Sequence, residues 1–146
     1  ARWQNGRLRN NLFLGATGYT METGSPHPRT TLDYNGWRRA EPGRFIKWYH
    51  GVSEQRYPSL AAFSETTGHE RHGVLVDYDI FVKAAAPKEG TTFRPEDIDL
   101  SLKPGTSAVD AGVALPTVND GFWGSSPDLG ARESGTPAPR FGPRGE

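Results

Sequence analysis

A few short stretches of this chain carry side chains that could do chemistry. His69-Glu70-Arg71-His72 sets two imidazoles three residues apart around a carboxylate. On a helix such a set could share a metal ion, as the His-Glu-x-x-His helix does. Gly68 and Gly73 flank the stretch, so it reads as a solvated turn, and no metal is expected. Asp77-Tyr78-Asp79 would place two carboxylates, Asp77 and Asp79, on one side of a strand, about 7 Å apart. That separation suits paired-carboxylate glycoside hydrolysis, a pair of Ca²⁺ ligands or a surface turn at a strand end. Trp37-Arg38-Arg39 and Trp48-Tyr49-His50 put flat rings beside hydrogen-bond donors. Rings stack on sugar faces and guanidinium forks match uronate carboxylates, so Trp37, Arg38, Trp48 and Tyr49 are candidates for binding an acidic glycan. The competing expectation, which is favoured, makes Trp37 and Trp48 core residues beneath a helix, because the chain has few other large apolar side chains. Asn119-Asp120-Gly121 is a turn signal that lacks the alternating acidic ligands of a Ca²⁺ loop. No nucleophile elbow, P-loop or dinucleotide fingerprint is present, no cofactor is identified, and no residue is assigned as catalytic.

The elements that must position these residues are short strands. Alternation and turn residues predict strands over 6–14, 30–36, 45–48, 73–81, 98–102 and 128–131. One helix is predicted about Ser59–Thr67, with Ser59 as N-cap after Pro58, Leu60 and Phe63 on one stripe, and Gly68 as the stop. Asn11 and Asn35 are 24 residues apart, and so are Asp79 and Lys103. A recurring spacing of this length, punctuated by Asn and Gly, predicts a β-solenoid in which turn asparagines stack their amides.

Composition supports many turns. The apolar fraction is 34%, and Gly (18) and Pro (12) are abundant. Together they make up about a fifth of the chain, against about 12% in average usage, which excludes a helical bundle. The 17 basic and 17 acidic residues cancel, so no nucleic-acid partner is expected. There is no cysteine, hence no disulfide framework or thiolate metal site. No apolar run reaches membrane-spanning length, and no membrane insertion is expected. The chain opens on Ala1 rather than Met, consistent with a mature or truncated start.

Two segments together resemble a known family. Asp99-Leu100-Ser101-Leu102-Lys103-Pro104-Gly105-Thr106-Ser107-Ala108-Val109-Asp110-Ala111-Gly112, followed by Ser126-Pro127-Asp128-Leu129-Gly130-Ala131-Arg132-Glu133, is similar to the ending of bacterial right-handed parallel β-helix proteins of the pectate-lyase-like superfamily. Thr106-Ser107 stands where that ending usually has Ser-Pro. The resemblance implies an all-β, right-handed parallel β-helix with one short inserted helix. Residues 1–133 would form terminal coils, with the helical insertion at about 57–70 and a Pro/Gly-rich tail at 134–146. It further implies the terminal portion of a secreted, carbohydrate-associated protein, extracellular or on the cell envelope. Its partners would be a polysaccharide or oligosaccharide and upstream coils of the same protein. The parent would be a polysaccharide lyase or glycoside hydrolase acting on acidic glycans, with its catalytic centre outside this segment. The alternative is a non-catalytic surface, adhesion or structural scaffold, because fold does not fix chemistry.

Overall fold

Turns interrupt the predicted strands so often that most survive as two-residue pieces. The computed structural model describes residues 4–25 and 28–137. In chain order these hold β1 (Arg7–Leu8), β2 (Leu12–Phe13), β3 (Met21–Glu22), β4 (Thr31–Leu32), β5 (Gly36–Trp37), β6 (Ile46–His50), β7 (Ser53–Tyr57), α1 (Leu60–Thr67), β8 (Val74–Leu75), β9 (Phe81–Lys83) and β10 (Asp99–Leu102). The break between β1 and β2 falls at Asn10, whose φ of 58° is a left-handed conformation that Asn tolerates better than most residues. Between β8 and β9 the chain makes a 3₁₀ turn over Tyr78–Ile80, so the predicted strand 73–81 is two strands with a corner.

Four small sheets result. β1 pairs with β4, β2 with β5, β5 with β8, and β3 with β6, all parallel. The four longest strands pair antiparallel, β6 with β7 and β9 with β10. This corrects the expected parallel β-helix: the sheets are mixed and no closed solenoid forms among the described residues. The physical reason lies after β8. A further coil would have to run parallel to the one before it, but β9 instead folds against β10 with Leu102 opposite Phe81. The segment after β10 then returns to the start of the chain. Gly130 N–H donates to Asn10 O (2.7 Å), Asn10 Nδ2 donates to Val113 O (2.9 Å), and Val113 N–H donates to Asn10 Oδ1 (2.8 Å). Gly112 permits that closure, since a Cβ there would lie 2.7 Å from Pro127 O and 2.9 Å from Asn10 Oδ1.

Helix α1 runs between two caps. Ser59 Oγ accepts from Ala62 N–H (3.2 Å), and Gly68, at φ 73°, donates its N–H to Ser64 O. An eight-residue helix is marginal alone and is held by its buried face. Phe63 fills that role, meeting Trp48 and Tyr57 edge to face at 5.8 and 5.2 Å. Together with Leu32, Trp37, Phe45 and Ile46 they form one core cluster. A second cluster gathers Val76, Ile80, Phe81, Leu102, Ala108 and Leu129 under the returning segment. The part of the expected tail beyond Pro137 lies outside the described residues.

Candidate functional site

The β6–β7 hairpin turns at Gly51-Val52, where Gly51 takes φ 64°. Alternation along β6 sends Ile46 and Trp48 into the core and leaves Tyr49 half-buried and His50 exposed. Tyr49 is fixed at both ends: its N–H donates to Thr23 Oγ1 (3.0 Å) and its hydroxyl donates to Val52 O (2.9 Å). The end of α1 comes alongside, where Thr67 Oγ1 accepts from His69 N–H (3.2 Å). The His69 ring lies edge-on to Trp48 at 5.5 Å. Between the hairpin and the helix end is a cleft of about 280 Å³, lined by Pro28, Thr30, Trp48, Tyr49, His50, Gly51, Thr67 and His69. Its lining mixes rings and hydroxyls and, among the described residues, includes no carboxylate, lysine or arginine.

The structure separates the residues expected to stack on a sugar. Trp37 is 0% and Trp48 1% exposed. Trp37 stacks on Phe13 at 4.2 Å and so cannot offer a face to a ligand, which corrects its candidacy. Trp48 gives the cleft only its floor. Arg38 is committed elsewhere: Nε donates to Asp77 Oδ1 at 2.6 Å, Nη1 donates to Gly15 O at 2.7 Å, and the guanidinium lies 5.4 Å from the centre of the Tyr78 ring. Arg38 and Asp77, expected in separate sites, are therefore partners. Burial alone would raise the Asp77 carboxyl, but its bonds to Arg38 and to Tyr78 N–H outweigh that and hold it below the usual range. Asp77 caps the 3₁₀ turn and Asp79 lies within it, so the two are not alternate residues of one strand.

The His69–His72 stretch is a turn whose four side chains part company. His69 packs on the core, Arg71 and His72 are exposed, and Glu70 is buried with φ 52°. His72 Nδ1 lies 3.0 Å from Asp33 Oδ2, its N–H donates to Asp33 Oδ1 (2.8 Å), and its ring stacks on Tyr34 at 4.3 Å. Burial raises the Asp33 carboxyl, but these bonds more than offset it and its pKa is lowered. Glu70 accepts from Asn35 through both oxygens, from Nδ2 at 2.6 Å and from the backbone N–H at 3.3 Å. Burial without a cation pushes its pKa from 4.5 up to about 7, opposed by the Asn35 bonds and by the indole N–H of Trp37. The Trp37 indole N–H makes no full hydrogen bond among the described residues. Neither Glu70–Asn35 nor Asp33–His72 carries a local signal, because the partners lie 35 and 39 residues apart. Among the described residues no group of three or more His, Asp or Glu could hold a metal ion. No helix of the described residues is long and apolar enough to cross a membrane.

Asp110 and Asp128, in the segment that resembled the β-helix ending, serve the backbone. Asp110 Oδ1 accepts from Ser125 and Ser126 N–H, and Asp128 accepts from Asp110 and Ser134 N–H. Such bonds fix loops and leave little room for chemistry. No family model matches this chain, and no curated protein or solved structure matches it either.

Proposed function

We propose that this chain is a carbohydrate-associated binding module of an extracellular or envelope protein, and that the cleft at Tyr49 and His50 takes a neutral sugar residue without transforming it. The observation that carries this reading is the lining: aromatic edges and hydroxyls around about 280 Å³, with no carboxylate, lysine or arginine among the described residues. Sugar rings present apolar C–H faces and hydroxyl edges together, so they suit a wall of rings beside hydroxyl oxygens that still accept, such as that of Tyr49, whose own proton goes to Val52 O. Ligand pockets usually begin near 300 Å³, so the space suits one ring of an oligosaccharide, the rest lying outside. A neutral sugar fits better than a uronate because Arg38, the expected carboxylate partner, is held by Asp77 and Gly15. Among the described residues the cleft offers no pair of carboxylates for acid–base chemistry.

Isothermal titration of the chain with neutral cello-, xylo- and malto-oligosaccharides, and with alginate and pectate fragments, tests this. At least one neutral series should bind, and Tyr49→Ala and His50→Ala should each weaken binding at least about tenfold, or about 1.4 kcal/mol. Arg38→Ala should leave the affinity unchanged. Binding confined to acidic fragments, no binding at all, or binding untouched by both cleft variants would refute the reading.

A further inference from the structure

The antiparallel β9–β10 pair has one face in the core and one face out. Phe81 and Leu102 are buried, whereas Val82 is 52% and Leu100 49% exposed. Phe93 and Ile98, from the loop that joins the two strands, are exposed beside them. Together they border a trough of about 500 Å³ whose lining is predominantly apolar. Isolated surface leucines are ordinary, but a contiguous apolar trough with polar margins marks an interaction surface.

The margin identifies the partner. Asp79, Lys83, Asp97 and Lys103 stand around the trough, two of each sign. Lys83 and Asp97 make a loose ion pair at 3.7 Å with both side chains 60% exposed, and Lys103 Nζ donates to Asp79 O (3.0 Å). A two-fold interface sets one surface against itself, so its charges must be balanced within the patch. A patch of one sign would repel its copy, whereas this one carries two charges of each sign. The formal net charge of the whole chain is also zero, so no long-range repulsion opposes self-association. We propose that the outer face of the β9–β10 pair docks a second copy of this chain across a two-fold axis, with Leu100 and Val82 at its centre and the four charged residues at its rim.

Sedimentation velocity on the full chain, from low to high micromolar concentration, tests the proposal. The wild type should pass from monomer to dimer as concentration rises. Leu100→Asp and Val82→Asp should stay monomeric throughout, while Val118→Asp, at a residue 76% exposed away from the trough, should dimerise as the wild type does. Should Leu100→Asp lose its fold by circular dichroism, the rim decides instead. Asp79→Lys should weaken the dimer, and Asp79→Lys with Lys103→Asp should restore it, because the patch is then balanced again. A wild type that stays monomeric overturns the proposal, whether this trough is empty or holds a ligand of another kind. So does a dimer indifferent to both the Leu100 and the rim variants.

Discussion

Asn35 Nδ2 donates a 2.6 Å hydrogen bond to Glu70 Oε1, and neither residue is more than 2% exposed. On its other side Asn35 Oδ1 accepts from the Asn11 side chain and backbone N–H, both at 2.9 Å. The stack of amides that begins at Asn11 therefore ends on a buried acid. The nearby Asp33 carboxylate, a like charge, adds to the cost of ionising that acid. Ionising Glu70 thus puts an uncompensated charge in the core.

Stability should accordingly depend on pH in an unusual direction. In the unfolded chain Glu70 loses its proton near 4.5, and in the folded chain near 7. Between those values the folded state holds more protons, so stability falls as pH rises from 4.5 to 7 and is level above, by at most about 3 kcal/mol. Asp33 and Asp77, whose pKa values are lowered, act in the opposite sense, but only as pH falls below about 4. Urea denaturation between pH 4 and 8 measures the slope. Glu70→Gln offers Asn35 one acceptor instead of two and should carry a fixed cost, but its slope should be flat.

Phe63→Ala should destabilise the chain by about 3–5 kcal/mol, because its ring is wholly buried between Trp48 and Tyr57 and its loss leaves a cavity. Chemical denaturation followed by Trp fluorescence reads this directly. Trp48→Ala should cost a similar amount, which is why Tyr49 and His50 are the better probes of the cleft.

Asp77→Asn should cost no more than about 1 kcal/mol, since the Asp77 side chain is 59% exposed and ion pairs of this kind contribute little. Arg38→Ala should cost more, because it also strips Gly15 O of its donor and uncovers the Tyr78 ring. Thermal melting of the two variants side by side checks the order.

Asn10→Ala should cost about 2–4 kcal/mol, combining the loss of both Val113 bonds with a left-handed backbone that Ala tolerates less well. Hydrogen exchange should show lost protection at Val113 and Gly130 together, as both amides depend on the Asn10 position.

The equal spacings of 24 residues show what could be read from sequence and what could not. Asn11 and Asn35 do meet, side chain to side chain, each one residue before the parallel neighbours β2 and β5. Asp79 and Lys103 also approach, but across an antiparallel pair, with Lys103 N–H on Ile80 O. Spacing records how far apart two residues are, and it is silent on the direction in which the chain returns. The helix was legible because Ser59 and Gly68 act locally. The burial of Trp37 and Trp48 was legible because few other rings could fill the core. Glu70 was not, since a carboxylate is ordinarily taken as a surface residue, and its partner is 35 residues away. The cleft was half legible: Trp48, Tyr49 and His50 are consecutive, but Thr30, Thr67 and His69 join them only through the packing of α1.

The bonds between Asn10 and Val113 span 103 residues, and they set a clock on synthesis. At about 5–20 residues per second, Asn10 leaves the ribosome roughly 5–20 s before the segment that completes its pairing exists. During that interval the Leu12 and Phe13 strand has β5 on one side and nothing from the returning segment on the other. An unpaired strand edge beside apolar side chains is where nascent chains associate wrongly. Yield in the cell should therefore depend on translation speed and on chaperones that hold extended segments more than on the stability of the finished fold.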